Sequence, residues 1–146
     1  MTAPEPSGEG VARAMRQALE EGGFTPDDLG HLNAHGTGTP ANDSTESKAL
    51  LALCGEEAGS RIPVTSVKGT TGHTLGAAGA IEAIVTALSV MNDCVPPTAG
   101  FAEADPECPV SVVTEAKTGY PQKVALSNSL GFGGHNASLA LSPYRA

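Results

Sequence analysis

The chain has 146 residues with 16 acidic and 8 basic side chains, a formal net charge of −8, so neither counterion release nor attraction to phosphate favours nucleic acid or an anionic membrane as its partner. Apolar residues make up 40% of it, aromatics only 3%, and Trp is absent, which is enough for one domain whose core is filled by Ala, Leu and Val. No apolar run approaches the ~18 residues of a membrane span, the first residues lack the basic and apolar parts of a secretory signal, and Cys54, Cys94 and Cys108 are odd in number without C-x-x-C spacing; a cytoplasmic chain with reduced thiols, no disulfide framework and no metal site is expected.

After a polar, Pro-rich lead, Val11, Met15, Ala18 and Leu19 recur on one face of a helix over residues 11–21, ended by Gly22-Gly23. Residues 25–29 read as a capped turn and residues 31–34 as a short strand that delivers His35 to a loop. Asp43-Ser44-Thr45-Glu46 reads as a capping box, Asp43 at the N-cap and Glu46 reaching back, ahead of a helix ending near Gly55. Residues 62–67 form a strand whose Pro63 places it at an edge or a strand start, feeding a loop over residues 68–72. Residues 76–90 are almost continuously small or apolar, which predicts a helix buried on most of its circumference and lying inside a layer of protein. Pro96-Pro97 breaks the chain, and a loop runs to Cys108. Strands follow over residues 110–113, 124–127 and 137–141, with a tight glycine turn between the last two. Alternating strands and helices with a terminal hairpin predict an α/β layered domain.

Two histidines stand in separate glycine-rich loops, 38 positions apart. The strings are His35-Gly-Thr-Gly-Thr39, then Asn42-Asp43-x-x-Glu46, then Lys68-x-x-x-Gly72-His73-Thr-Leu-Gly-Ala-Ala-Gly79, and finally Gly131-Phe-Gly-Gly134-x-Asn136. In this order and spacing the chain resembles the C-terminal half of β-ketoacyl-acyl carrier protein synthases, the elongating thiolase-fold ketosynthases of type II fatty acid and polyketide systems. The resemblance implies an α/β, thiolase-like fold of which this chain is one α/β/α half. Residues 1–10 then form a linker-like lead, and residues 11–146 the ketosynthase C-terminal thiolase-like domain.

The chemistry it implies is a decarboxylative Claisen condensation of malonyl-acyl carrier protein with an acyl chain held on a cysteine. Such a reaction must stabilise an enolate and then a tetrahedral alkoxide, both of which call for preorganised N–H donors in a water-poor pocket. Imidazoles on rigid glycine loops can present Nε2–H for this purpose. By the resemblance His35 and His73 flank the malonyl thioester oxygen, His73 assisting loss of CO2, with Lys68 holding their orientation and charge and Glu82 as its carboxylate partner. Asp43 and Glu46 belong to the supporting set, although the residues alone read them as a helix cap. Thr37 and Thr39 suit the amides of a phosphopantetheine arm. Phe132 is implied as a mobile gate, with Gly131, Gly133 and Gly134 permitting rearrangement.

No cysteine fits the nucleophile, which in the family lies in the N-terminal half on a strained turn. The expected partners are therefore an N-terminal half that bears this cysteine, reached through a large apolar docking surface, and the acyl carrier protein, within a higher assembly. No bound cofactor is expected; the substrate rides on the carrier's phosphopantetheine. Other departures from the family pattern are Gly69 for a small hydroxyl residue or Ala, where glycine adds freedom, His135 for Thr and Leu130 for Phe. Two other readings remain: a non-catalytic partner resembling a chain-length factor, or a detached half-domain. A metal site of His35, His73 and His135 has no ligand spacing to support it.

Overall fold

The computed structural model describes residues 5–144. The first four residues of the expected lead lie outside them, and Glu9 and Gly10 already belong to the first helix. Among the described residues the α-helices are α1 (Glu9–Glu21), α2 (Pro40–Cys54), α3 (Glu56–Gly59), α4 (Lys68–Thr71) and α5 (Ala78–Met91). The strands are β1 (Leu29–Asn33), β2 (Pro63–Thr65), β3 (Cys94–Val95), β4 (Ser111–Val112), β5 (Lys117–Thr118), β6 (Val124–Gly131) and β7 (His135–Leu141). The main sheet has the order β4-β2-β1-β6-β7, parallel except for the antiparallel β6–β7 hairpin, while β3 and β5 form a separate antiparallel ribbon.

Register explains how the layers divide. Val64, Leu32, Leu126 and Ala140 stand opposite one another across the sheet. Together with Val11, Met15 and Leu19 of α1 and Ala49, Leu50 and Leu53 of α2 they make the apolar core. The next row, Thr65, Asn33, Ser127 and Leu139, points the other way, because successive strand side chains alternate between faces. That second face carries α5. Asn33 Nδ2 donates to Glu82 O at 3.1 Å and to Thr86 Oγ1 at 3.0 Å. His31 pairs with Thr65 Oγ1 at 2.8 Å and with Ser89 Oγ at 3.5 Å, and Gln122 Nε2 reaches Ser89 Oγ at 3.1 Å and Cys94 O at 3.0 Å.

The interface between the sheet and α5 is thus polar, and this corrects the expectation of a helix buried on most of its circumference. Glu82, Thr86 and Ser89 are its buried side, whereas Ile84, Leu88 and Met91 are 62%, 51% and 71% exposed. Spacings of four and three residues put Ile84, Leu88 and Met91 on one stripe. Leu139 of β7, 52% exposed, lies uncovered on the same face of the sheet. No helix among the described residues is long and apolar enough to cross a membrane.

Other boundaries moved as well. The helix expected to start at Asp43 starts at Pro40, with Thr39 at the N-cap and Asp43 N–H donating to Thr39 O at 3.0 Å; Pro at the first helical position has no N–H to leave unpaired. Of residues 68–72, expected as a loop, Lys68–Thr71 coil into α4 and Gly72 ends it. The ribbon of β3 and β5 had no sequence signal, being two residues per strand. Thr25 and Asp28 do cap their turn, Thr25 N–H donating to Asp28 Oδ2 at 2.9 Å. Gly69 does more than add freedom: a Cβ there would stand 1.9 Å from Ala99 O, so the chain segment after Pro97 packs directly on this turn.

Gly69→Ala forces the Ala99 segment away and costs about 1–3 kcal/mol as an overpacking change, read from urea denaturation; a loss within experimental error contradicts the close approach. Burial holds His31 down to about 4, against a partial upward pull from Gln122. Since the folded chain then refuses a proton that the unfolded chain accepts below about 6.5, this group removes stability as pH falls from about 6.5 to about 4, by about 2 kcal/mol at pH 5. His31→Asn removes that part of the acid slope, and an unaltered slope contradicts the assignment.

Candidate active site

β1 and β2 are parallel neighbours, so both of their C-terminal ends open at the same edge of the sheet, where open α/β sheets carry their sites. The chain leaves β1 into the His35 loop and β2 into the Lys68–His73 loop. This adjacency brings the two histidines together: their rings meet edge to face with centroids 5.3 Å apart and an interplanar angle of 84°.

Hydrogen bonds fix which nitrogen of each ring carries its proton. Lys68 Nζ lies 3.2 Å from His35 Nδ1 and, as an ammonium, can only donate. Leu75 N–H donates to His73 Nδ1 at 3.2 Å. Both Nδ1 atoms are therefore acceptors, and both rings carry hydrogen on Nε2. Burial first, then the charge of Lys68 and the neighbouring His73, push His35 down to about 4, so its ring stays neutral at physiological pH. Leu75 adopts φ +52°, a left-handed conformation that costs a non-glycine residue about 1–3 kcal/mol and is often found at functional sites.

Lys68 is buried and ion-paired with Glu82 of α5, so the polar side of that helix reaches the site directly. Glu46 has a different part from the cap that the residues alone suggest. Instead of capping α2, its carboxylate accepts from His35 N at 2.9 Å, Gly36 N at 2.7 Å, Asn42 Nδ2 at 2.9 Å and Asn128 Nδ2 at 3.3 Å. It cradles the backbone of the His35 loop. Its complete burial raises the carboxyl above the usual carboxylate range, opposed by the N–H groups of Gly36 and His35 and the two amides. Asp43 is not the N-cap either; its Oδ1 accepts from Asn42 Nδ2 at 3.0 Å.

A cavity of about 890 Å³ opens over the two rings, lined by His35, Thr37, Thr39, His73, Leu130, Gly131, Phe132 and His135 among others. Thr37 and Thr39 join through their hydroxyls at 2.9 Å. Phe132 sits at the tip of the β6–β7 hairpin, 78% exposed. Gly133 and Gly134 after it both have φ +80°, a conformation that L side chains rarely adopt. A second cavity of about 660 Å³ lies beneath the loops against α2 and residues 98–105.

No cysteine lines the histidine cavity. Burial, helped by Asp27, pushes the Cys54 thiol up to about 11, and burial with Asp105, Asp43 and Glu107 raises Cys108; neither has the thiolate character of a nucleophile. No three His, Cys, Asp or Glu side chains gather as a metal cluster among the described residues. Ser66 and Asn128 join the site without a sequence signal, since each acts on a residue distant along the chain, Gly36 and Glu46 respectively; Asn42, part of the Asn42-Asp43-x-x-Glu46 string, donates to Glu46 one turn along α2.

Residues 1–102 match the family model described as beta-ketoacyl synthase, C-terminal domain. The 3-oxoacyl-[acyl-carrier-protein] synthase 2 of Synechocystis sp. is 46% identical over 99% of this chain, which covers 35% of that relative. Among solved structures, the ishigamide ketosynthase/chain length factor superposes with a TM-score of 0.90 at 38% identity over 99% of this chain and 34% of that one. A type II polyketide ketosynthase with its acyl carrier protein gives 0.92 at 34% identity over 99% of this chain and 35% of that one. The chain thus spans about a third of the length of these relatives, and its layers are those of one thiolase-like half. With that match over the greater part of its sequence, the chain belongs to the β-ketoacyl synthase family and carries that family's C-terminal domain.

Proposed function

We propose that this chain is the C-terminal half of a β-ketoacyl-[acyl carrier protein] synthase, competent when an N-terminal half supplies the acylated cysteine. The observation that carries the reading is the pair of imidazoles that line one cavity, each accepting at Nδ1 and so left with its hydrogen on Nε2. The malonyl thioester, on the phosphopantetheine of its carrier, lies with its carbonyl oxygen between His35 and His73. Cleavage of the carboxylate carbon bond releases CO2 and leaves its electron pair as an enolate, whose oxygen the two N–H groups stabilise. The enolate carbon then attacks the acyl thioester on cysteine. Collapse of the tetrahedral alkoxide expels the thiolate and leaves a β-ketoacyl chain on the carrier. Donors fixed before reaction need no reorganisation, which is why they lower the barrier.

Lys68 and Glu82 hold His35 in this state, and Glu46 holds the loop that carries it. Thr37 and Thr39 line the same cavity, suited to the phosphopantetheine amides, and Phe132 stands at its rim as the gate. The apolar stripe Ile84, Leu88 and Met91 fits the docking surface for the N-terminal half, because a helix polar toward its own sheet and apolar outward belongs between two layers. The second reading, a partner resembling a chain-length factor, draws support from the similarity to the ishigamide ketosynthase/chain length factor.

Reconstitution with a polypeptide covering the remaining two thirds of the relatives tests the proposal. Condensation of malonyl-acyl carrier protein is expected only with both chains present, and His73→Ala is expected to lower its rate by about 10²–10³ as removal of one oxyanion donor does. Full activity of that variant in the complex overturns the catalytic role and favours the chain-length-factor reading; no complex and no activity leaves a detached half-domain. Leu88→Asp is expected to abolish association while leaving the circular dichroism and melting temperature of the chain by itself near the parent values. Association of undiminished affinity would place the docking surface elsewhere.

A further inference from the structure

We infer that Ser66 is a positioning residue, whose hydroxyl and amide tie the His35 loop to the Lys68 loop and to the segment after Pro97, and so set where the His35 ring stands against Lys68. Ser66 is buried. Its Oγ donates to Gly36 O at 2.9 Å, and its N–H donates to Thr98 Oγ1 at 3.2 Å. Thr98 N–H in turn donates to Val113 O at 2.7 Å, beyond the end of β4. On the other side Gly36 N–H is held by Glu46. The backbone just after His35 is therefore gripped from two directions, one of them through Ser66.

The contact is also as close as the residue types allow. Gly36 has φ +48°, and a Cβ there would lie 2.5 Å from Ser66 Cβ, so a larger residue at position 36 would drive the two loops apart. Lys68 follows Ser66 by two positions and closes the circuit from the other loop through its bond to His35 Nδ1. Ser66 lines the cavity beneath the loops and not the one over the rings. It acts through Gly36 and Lys68 rather than by touching substrate. A displacement of about 1 Å in such a site can cost about 10² in rate. The catalytic meaning of this placement rests on the reading of His35 as a donor; the placement itself does not.

The test is a histidine titration of the full 146-residue chain by ¹⁵N NMR, in which His31, in the polar layer under α5, reports on general loosening. Ser66→Ala is expected to raise the midpoint of His35 by about one unit or more, as its environment opens and Lys68 recedes, with that of His31 unmoved. An unchanged His35 in Ser66→Ala, or His35 and His31 moving together, overturns the inference. Should Ser66→Ala fail to fold, Thr98→Val removes only the outer bond: an upward shift confined to His35 supports the positioning role and no shift overturns it. The readout requires no condensation, so an inactive reconstituted complex would sink the functional reading without touching this result.

Discussion

The ion pair between Lys68 and Glu82 joins the two parts of the molecule that matter most, the histidine loops and the helix beneath them. Buried charges are costly to strip of water, and such a pair is weak evidence for stability. Its effect here is geometric. Glu82 anchors the ammonium of Lys68, the ammonium turns His35 so that Nδ1 accepts, and the proton of that ring is left on Nε2, the atom that the proposed chemistry requires as a donor. The local positive charge also helps keep His35 uncharged. One pair therefore couples the tautomer, the charge and the direction of a donor.

The same pair explains why α5 turns its polar side inward. Glu82, Thr86 and Ser89 bond to the side-chain nitrogens of Asn33, His31 and Gln122 in the layer below, and the helix is left with Ile84, Leu88 and Met91 outward. A helix at the surface of a globular domain does the reverse. One orientation thus sets both faces of the helix: the face that serves Lys68 cannot also be the face that meets water, and the face that remains is apolar, as the proposed docking to a second layer requires.

Much of this was legible in the sequence, and the limits have physical reasons. Period and caps located α1, the site strands and α5 to within a few residues, because those signals are local. The two histidine loops were legible from their glycines and spacing. Glu46 was misread as a cap because Asp43 and Glu46 have capping-box spacing, while its actual partners come from the His35 loop and from Asn128, 82 positions away; Thr39-Pro40 was the better signal for the helix start. Gly69 looked permissive because the sequence does not reveal that Ala99 packs on it. The inward face of α5 was present as Glu82, Thr86 and Ser89, but composition alone made the helix read as buried on most of its circumference.

The most direct measurement of the central claim is the tautomeric state of His35 and His73 in the unmodified chain at neutral pH, from long-range ¹⁵N–¹H correlations within each ring. The account predicts hydrogen on Nε2 of both rings, with Nδ1 unprotonated and accepting from Lys68 in one ring and from Leu75 N–H in the other. A ring found charged, or protonated on Nδ1, would contradict it, since the donors on which the proposed chemistry depends would then be absent.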